Sequence, residues 1–564
     1  MLLALILLLK IVKSSGDSGL FPASSNSISW QSTSFTTNKL ASYANTKWLR
    51  VQEICPNCSL FGKSDFLGDI DQGSVGDCYF LAGITSVAEV DARFKKIFVN
   101  QKNNAAGLFA FNVFIKGAPT VVVVDSLIPI KTSKTPLFAT IGTDQSYWGA
   151  LIEKAWAKVN GNYEKIGSGY NNEGVEFLTN APSKRISMTL LKADTLWNLV
   201  KDADNSNFVM NVDTPSNPLG DIALCQFNLP CQHTFSLISV VVIKAADNSQ
   251  INLYRIRNPW KKDSKFNGKF NDTASIWKTV GLDNKTYANQ AGVVIAEDGV
   301  IMMTSDEMIQ AFSSITISYV NDTWITSWYD KLNDRVMSNV VPSNYYFSIN
   351  QTTNMYIRLV PYNSRMYSLD CKTVNSKIIL RLKDPVTLKQ IAFSSNNEHT
   401  NYGLNFSESG LAAGNYLLEA YVTWAAGATI QQKVITIDKN ITNNLTKTND
   451  TQAINTPTAA NKTSPPDIVQ VVYSFTGNLT LDFVKMRNSS SFTISNDING
   501  YLYGQYVQII KYNNGSSRYE IITTESLECM CQIPVNSYPK ECGFAVLLPI
   551  GAPFTKSYSA SSVQ

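Results

Sequence analysis

Gln72-Gly-Ser-Val-Gly-Asp-Cys78-Tyr-Phe-Leu-Ala-Gly-Ile84 is the stretch on which the reading of this chain turns. Its first half is a turn-forming run, Asp77 is a capping residue type, and the apolar residues after Cys78 continue as a helix. That order puts the Cys78 sulfur at the positive end of a helix dipole, which favours the thiolate. A cysteine attacks a carbonyl only as thiolate, so the setting suits nucleophilic chemistry. Taken alone it suits an inert buried cysteine equally, which is the commoner case.

Outward from this helix, Phe109–Ile115 and Val121–Val124 read as strands of a hairpin. Trp148, Leu151, Ile152, Ala155, Trp156 and Val159 recur at helical spacing before the stop signal Asn160-Gly161, which predicts an amphipathic helix. From about Lys184 to Val320 the pattern turns to strands, notably Phe208–Val212, Phe235–Ile243 and Ile251–Ile256. Strands continue through Asn344–Ile349, Met355–Val360, Ile378–Leu382, Tyr416–Trp424 and Ile430–Ile437, suggesting a β-sandwich. An Asn-, Thr- and Pro-rich linker follows, and then a further set of strands.

A chain of 564 residues exceeds one core and should hold three to five units at roughly 100–200 residues each. A net charge of +4 from 48 basic and 44 acidic residues, with no basic stripe, argues against nucleic acid as a partner. His233 and His399 are the only histidines, so a His-rich metal site is excluded and a general base has few candidates. Nine cysteines cannot all pair with one another, and Cys78 is the candidate for the free thiol.

The apolar opening, residues 1–20 with its Leu-rich run up to Lys10, is too short to span a bilayer. It suits a signal peptide with small residues at Ser14, Ser15 and Gly16, although no positive residue precedes the run. Thirteen Asn-x-Ser/Thr sequons add little, because an Asn- and Thr-rich chain generates them by chance.

His233 opens the apolar strand His-Thr-Phe-Ser-Leu-Ile, and Asn258 ends another, ahead of Pro259-Trp260. Each alone reads as a strand edge or a turn. Their joint order, Cys then His then Asn, with the nucleophile on a helix and its partners on strands, is what points to acyl chemistry.

These residues resemble the calpain family. The matching stretches are Gln72–Ala82, Trp148–Gly161 with Glu173-Gly-Val-Glu176, His233-Thr-Phe-Ser-Leu237, Arg255-Ile-Arg-Asn-Pro-Trp260 and Asp298–Asp306. The resemblance implies an α+β fold, a two-lobed papain-like cysteine protease core followed by a C2-like β-sandwich, and the strand pattern beyond it adds a C-terminal all-β region. Together they divide the chain into a leader over 21–59, core lobes over 60–183 and 184–322, a sandwich over 335–440, a linker over 441–466 and a small β domain over 467–564. It further implies Cys78 as nucleophile, His233 as base, Asn258 as its orienter, Gln72 in the oxyanion hole and Trp260 as support shielding the His–Asn contact.

The same resemblance implies calcium, with Asp69 and Glu153 standing where first-site ligands are expected. At a second site Asp272 and Asp298 remain, but Ser264 or Lys265 and Val300 replace acidic side chains, which weakens an ion that needs six to eight oxygens. Tyr79 stands where the family prefers Trp, and Gln232 where it prefers Gly. Protein substrates and membrane contact through the C2-like domain are the implied partners. No EF-hand loop occurs in the sequence, so no EF-hand small subunit is expected. The family implies a cytoplasmic setting, a signal peptide a secretory one. Two rivals are a catalytically inactive scaffold and a transglutaminase-like acyl-transferase; the latter usually takes Asp as its third residue, where this chain has Asn258.

Overall fold

The computed structural model describes residues 21–29, 40–63, 70–330 apart from 105 and 116, 342–360, 365, 377–397 and 403–423. Beyond these it describes the strands Ile430–Ile437, Val472–Ser474, Leu479–Asp482, Thr493–Asn496, Leu502–Lys511, Ser517–Ser526, Gly543–Pro549 and Thr555–Ser557. The apolar opening and the linker over 441–466 lie outside the described residues.

Among the described residues, helices and strands mix up to Ser318 and strands dominate thereafter. The first unit is built on α1 (Cys78–Ala88), the antiparallel hairpin β1 (Leu108–Ile115) and β2 (Ala118–Asp125), α2 (Trp148–Asn160) and α3 (Asn171–Thr179). Phe80, Trp148, Trp156, Phe111 and Tyr163 fill its core. At roughly 1.5–3 kcal/mol per fully buried large apolar side chain, such packing drives the assembly.

The helix expected over Trp148–Val159 forms, but it is not amphipathic in its surroundings. All thirteen of its residues are buried. Its polar face meets protein rather than water: Lys154 Nζ lies 2.6 Å from Asp125 Oδ1, and Lys158 Nζ donates to the Val123 carbonyl at 2.7 Å. The hairpin thus holds both ammonium groups, Lys154 by an opposite charge and Lys158 by a carbonyl.

The stretch expected as a leader belongs to this core. Phe21, Ile28, Leu40 and Val51 are buried in it, and Trp48–Arg50 pairs with Leu127–Pro129.

The second unit is a six-stranded antiparallel sheet of β3 (Ser183–Ser187), β4 (Val209–Asp213), β5 (Thr234–Lys244), β6 (Gln250–Arg257), β7 (Val300–Thr304) and β8 (Ser314–Ser318), in the spatial order β3-β8-β4-β5-β6-β7. A helix over Ala193–Asn205, absent from the strand-rich reading, covers one face with Leu196, Val200 and Ala203, spaced as one helical stripe.

Among the described strands from residue 324 on, two antiparallel sheets enclose Met355, Ile357, Leu380, Leu382 and Leu418. Here the pairing departs from the expected division. Gly543–Pro549 inserts between Trp324–Asp330 and Thr353–Val360, and Thr555–Ser557 pairs with Ser343–Ile349. Ile430–Ile437, expected in the sandwich, pairs instead with Ser517–Ser526. Strand pairing is non-local, so sequence proximity did not reveal it.

Candidate active site

Helix α1 begins at Cys78 itself, and the Cys78 N–H is therefore one of the orphan donors of a helix N-terminus. The helix lies across the sheet that carries His233. Ser236 Oγ donates to the Ala82 carbonyl at 2.9 Å, and Asn211 Nδ2 donates to Ser86 Oγ at 3.1 Å. These bonds join the Cys78 helix to β5, which begins just after His233, and to its neighbour β4. Asp213 adds another tie, accepting from Asn171 Nδ2 at 3.2 Å and from Thr234 Oγ1 at 2.7 Å.

His233 is buried, and its Nε2 lies 2.9 Å from Asn258 Oδ1. The orientation of the Asn258 amide is set by its neighbours: Nδ2 donates to the Lys262 carbonyl at 2.8 Å, while Oδ1 also accepts the Trp260 N–H at 3.0 Å. Oδ1 can only accept, so His233 carries its proton on Nε2. Nδ1 is left as the basic nitrogen, buried and without a hydrogen-bond partner. Burial lowers the imidazole pKa to about 4, partly opposed by the Asn258 bond.

The Trp260 ring lies 4.2 Å from the His233 ring, centroid to centroid, and is tilted against it by 39°. Its Nε1 donates to Gln72 Oε1 at 2.6 Å, and Gln72 Nε2 donates to the Val75 carbonyl at 2.7 Å. This pair of bonds fixes the amide with its NH2 on the side of the Gly73–Asp77 turn. Gly73 is required there, because a Cβ would stand 2.1 Å from the Phe138 carbonyl oxygen.

Cys78 is the free cysteine among the described residues, and it is half-buried. The protein packed around its sulfur pushes the thiol up to about 12; a backbone hydrogen bond from Thr234 opposes this, and the charges of Asp77, Asp221 and Asp213 add to it. Burial thus disfavours the charged form of both side chains. Cys55 pairs with Cys58 and Cys225 with Cys231, the second bridge closing the loop just ahead of His233.

Asp77 does not cap the helix with its side chain, as expected of its residue type. It is wholly buried, with no ordinary donor on either oxygen, and faces the carboxyl of Glu153. Burial raises Asp77 to about 7 and raises Glu153 well above the usual carboxylate range, where the Asp77 charge adds to the effect. Two acids in contact inside a protein cannot both ionise, and a shared proton reconciles them.

Glu153, expected at a calcium site, thus sits in the interior. It is 1 % exposed, and its two oxygens accept the Ala139 N–H at 3.0 and 3.1 Å. The cause is local: α2 is enclosed on every side, so position 153 has no solvent face. Asp69 lies outside the described residues. Among the described residues no three or more His, Cys, Asp or Glu side chains form a metal-holding group. Acidic side chains do crowd near the second expected site. Burial and then the charges of Asp272 and Glu297 raise Asp263 to about 6, and Asp272 is raised by burial and by Asp298 and Glu297. The sequence reading named Asp272 and Asp298 but not Asp263 or Glu297; only the turn that brings residues 263 and 297 together, with Glu297 Oε1 accepting the Asp263 N–H at 2.9 Å, reveals them.

A family model described as calpain family cysteine protease matches residues 17–319. The chain belongs to the calpain family. Among curated relatives, calpain clp-4 of Caenorhabditis elegans is 30% identical over 276 residues, covering 48% of this chain and 37% of that protein. The calpain-1 catalytic subunit of Macaca fascicularis is 29% identical over 274 residues, with the same two coverages. A calpain-type cysteine protease of maize, DEK1, is 27% identical over 287 residues, covering 49% of this chain and 13% of its own. The chain thus matches little more than a third of the animal calpains and less of the plant one. The family match begins at residue 17, well before the expected start of the core at 60. The burial of Phe21 and Ile28 in the first core agrees with that earlier start.

Proposed function

We propose that this chain is a calpain-type cysteine endopeptidase with a two-lobed papain-like core, hydrolysing peptide bonds in proteins through Cys78, His233 and Asn258. The observation that carries the reading is the Asn258 Oδ1–His233 Nε2 bond, because it leaves Nδ1 as the proton acceptor on the ring. His233 Nδ1 takes the Cys78 proton and the thiolate attacks the scissile carbonyl carbon. The negative charge arriving on the carbonyl oxygen is received by the Cys78 N–H and the Gln72 amide. The imidazolium then protonates the leaving amine, and a water deprotonated at Nδ1 cleaves the thioester, returning the thiol. Trp260 keeps water from the His–Asn bond and holds Gln72.

Calcium is the proposed activator. That reading rests on the family resemblance, and among the described residues no three or more His, Cys, Asp or Glu side chains form a metal-holding group. The strands after 324 are read as a C2-like module able to contact membranes, a reading that rests on the family resemblance and is checked by sedimentation with anionic vesicles.

A second reading is an inactive scaffold: His233 is buried, and burial works against both the Cys78 thiolate and the His233 imidazolium that an active ion pair needs. Cleavage of an unfolded protein by the full chain and by Cys78→Ala, each in calcium and in chelator, separates the readings. Calcium-dependent cleavage lost in Cys78→Ala supports the proposal. Cys78-dependent cleavage in chelator keeps the protease and removes the calcium, and absence of Cys78-dependent cleavage in both favours the scaffold.

A further inference from the structure

Arg365 lies five residues beyond the strand Thr353–Val360, yet its side chain is held inside the first unit. Its Nε and Nη2 donate to Glu173 Oε2 and Oε1 at 2.6 and 2.8 Å. Nη1 donates to the Lys165 carbonyl at 2.9 Å and Nη2 to the Ser168 carbonyl at 2.8 Å. The guanidinium also lies 5.1 Å from the centroid of the Tyr79 ring, next in sequence to Cys78.

Three separate features converge on this seat. Gly169 makes room for it, since a Cβ there would stand 2.4 Å from Arg365 Nη2 and 2.5 Å from the Tyr79 ring. Ser168, held at a φ of 63°, donates its N–H to the Gly76 carbonyl at 2.8 Å, so the carbonyl that Arg365 grips belongs to a residue bonded to the turn before Cys78. Glu173 accepts the Tyr170 N–H at 2.9 Å as the capping-box residue of α3, whose residues pack on α1. Tyr79 is fixed from its other side, its hydroxyl donating to the Ile166 carbonyl and accepting from Trp156 Nε1, each at 3.0 Å.

We propose that Arg365 is a positioning residue for the nucleophile: reaching in from the β-rich half, it holds Tyr79, the 165–168 turn and the start of α3 in the arrangement that sets Gly76–Cys78. It rests on the reading of Cys78 as nucleophile. A planar fork serves here where an ammonium would not, because four acceptors and a ring face are engaged at once. Arg358 makes a second attachment at the far end of α3, with Nη1 2.6 Å from Glu176 Oε1 and Nη2 2.7 Å from the Asn180 carbonyl. Among the described residues its bonds go to Glu176 and Asn180 and not to Tyr79 or the 165–168 turn, which makes it the natural control.

The test uses the full chain as wild type, Arg365→Ala, Arg365→Lys and Arg358→Ala. Peptidase kcat and KM are measured per folded molecule, and the iodoacetamide alkylation rate of Cys78 is followed by mass spectrometry of its peptide. The expected result is a loss of about 10- to 100-fold in kcat for Arg365→Ala at nearly constant KM, the scale of a misplaced reacting group. Its Cys78 alkylation rate changes as well, Arg365→Lys recovers part of both, and Arg358→Ala lowers the melting temperature while leaving both rates per folded molecule as in wild type. Wild-type kcat and alkylation rate in Arg365→Ala would overturn the proposal, as would equal effects of Arg358→Ala. If the wild type cleaves no protein, alkylation alone decides, so failure of the protease reading stays distinct. If Arg365→Ala does not fold, Arg365→Lys carries the test, and an unchanged alkylation rate in it overturns the proposal.

Discussion

Trp260 Nε1 donates to Gln72 Oε1 at 2.6 Å, joining a residue two positions after Asn258 to one six positions before Cys78. One indole therefore packs beside the imidazole and holds the Gln72 amide through its N–H. Trp260→Phe keeps most of the face and removes the donor. With a net value of roughly 0.5–1.5 kcal/mol per hydrogen bond, kcat/KM should fall about 2- to 10-fold. Trp260→Ala should cost more. Wild-type kcat/KM in Trp260→Phe, read from steady-state kinetics, would show that the Gln72 bond contributes nothing of its own.

The Asn258 amide is neutral, and the imidazole beside it is held near 4 by burial. Asn258→Asp places a carboxylate at Nε2, which favours the imidazolium and raises that pKa. The base is then protonated up to a higher pH, so the acid limb of the pH–rate profile should move upward by about one to three units. A limb that stays in place would mean that it does not report His233.

Asp77 and Glu153 share a buried site that favours the protonated form. Asp77 rises from 3.8 in the unfolded chain to about 7. A raised acid contributes stability that is complete below the unfolded value and is lost as pH climbs through the folded one. The melting temperature of the protease unit should therefore fall between roughly pH 4 and pH 7, and Asp77→Asn should flatten that slope. Scans at pH 5 and pH 8 on both proteins check it; parallel slopes would refute the shared proton.

Lys154 and Asp125 are 2.6 Å apart at 0 % and 1 % side-chain exposure. Lys154→Met leaves a buried carboxylate without its cation, a loss of about 3–5 kcal/mol. The double variant with Asp125→Leu should recover much of it. Thermal or urea unfolding of the wild type and the two variants measures the difference, and no recovery would mean that the carbonyls of Asp125 and Leu127, which also accept from Lys154, depend on the ammonium.

The sequence by itself determined the local elements and the chemical inventory. Cys78 heads a helix because a turn-forming run gives way to an unbroken apolar one. Trp148–Asn160 is helical because its apolar residues recur at the helical period and Gly161 ends it, and the strands at 234–244 and 250–257 follow from their β-branched runs. Those are short-range properties, set by propensity and by the residues on either side. The order Cys, His, Asn was legible for the same reason.

Only the tertiary structure decided what the long-range contacts do. The interior placement of Glu153 against Asp77, the inclusion of Phe21 and Ile28 in the first core, the insertion of Gly543–Pro549 into a sheet begun more than two hundred residues earlier and the seating of Arg365 on Tyr79 all depend on segments far apart in the chain. A helical period assigns a residue to a face but cannot say whether that face meets water or another segment. The acids and bases of this chain took their partners, their protonation and their roles from that second choice.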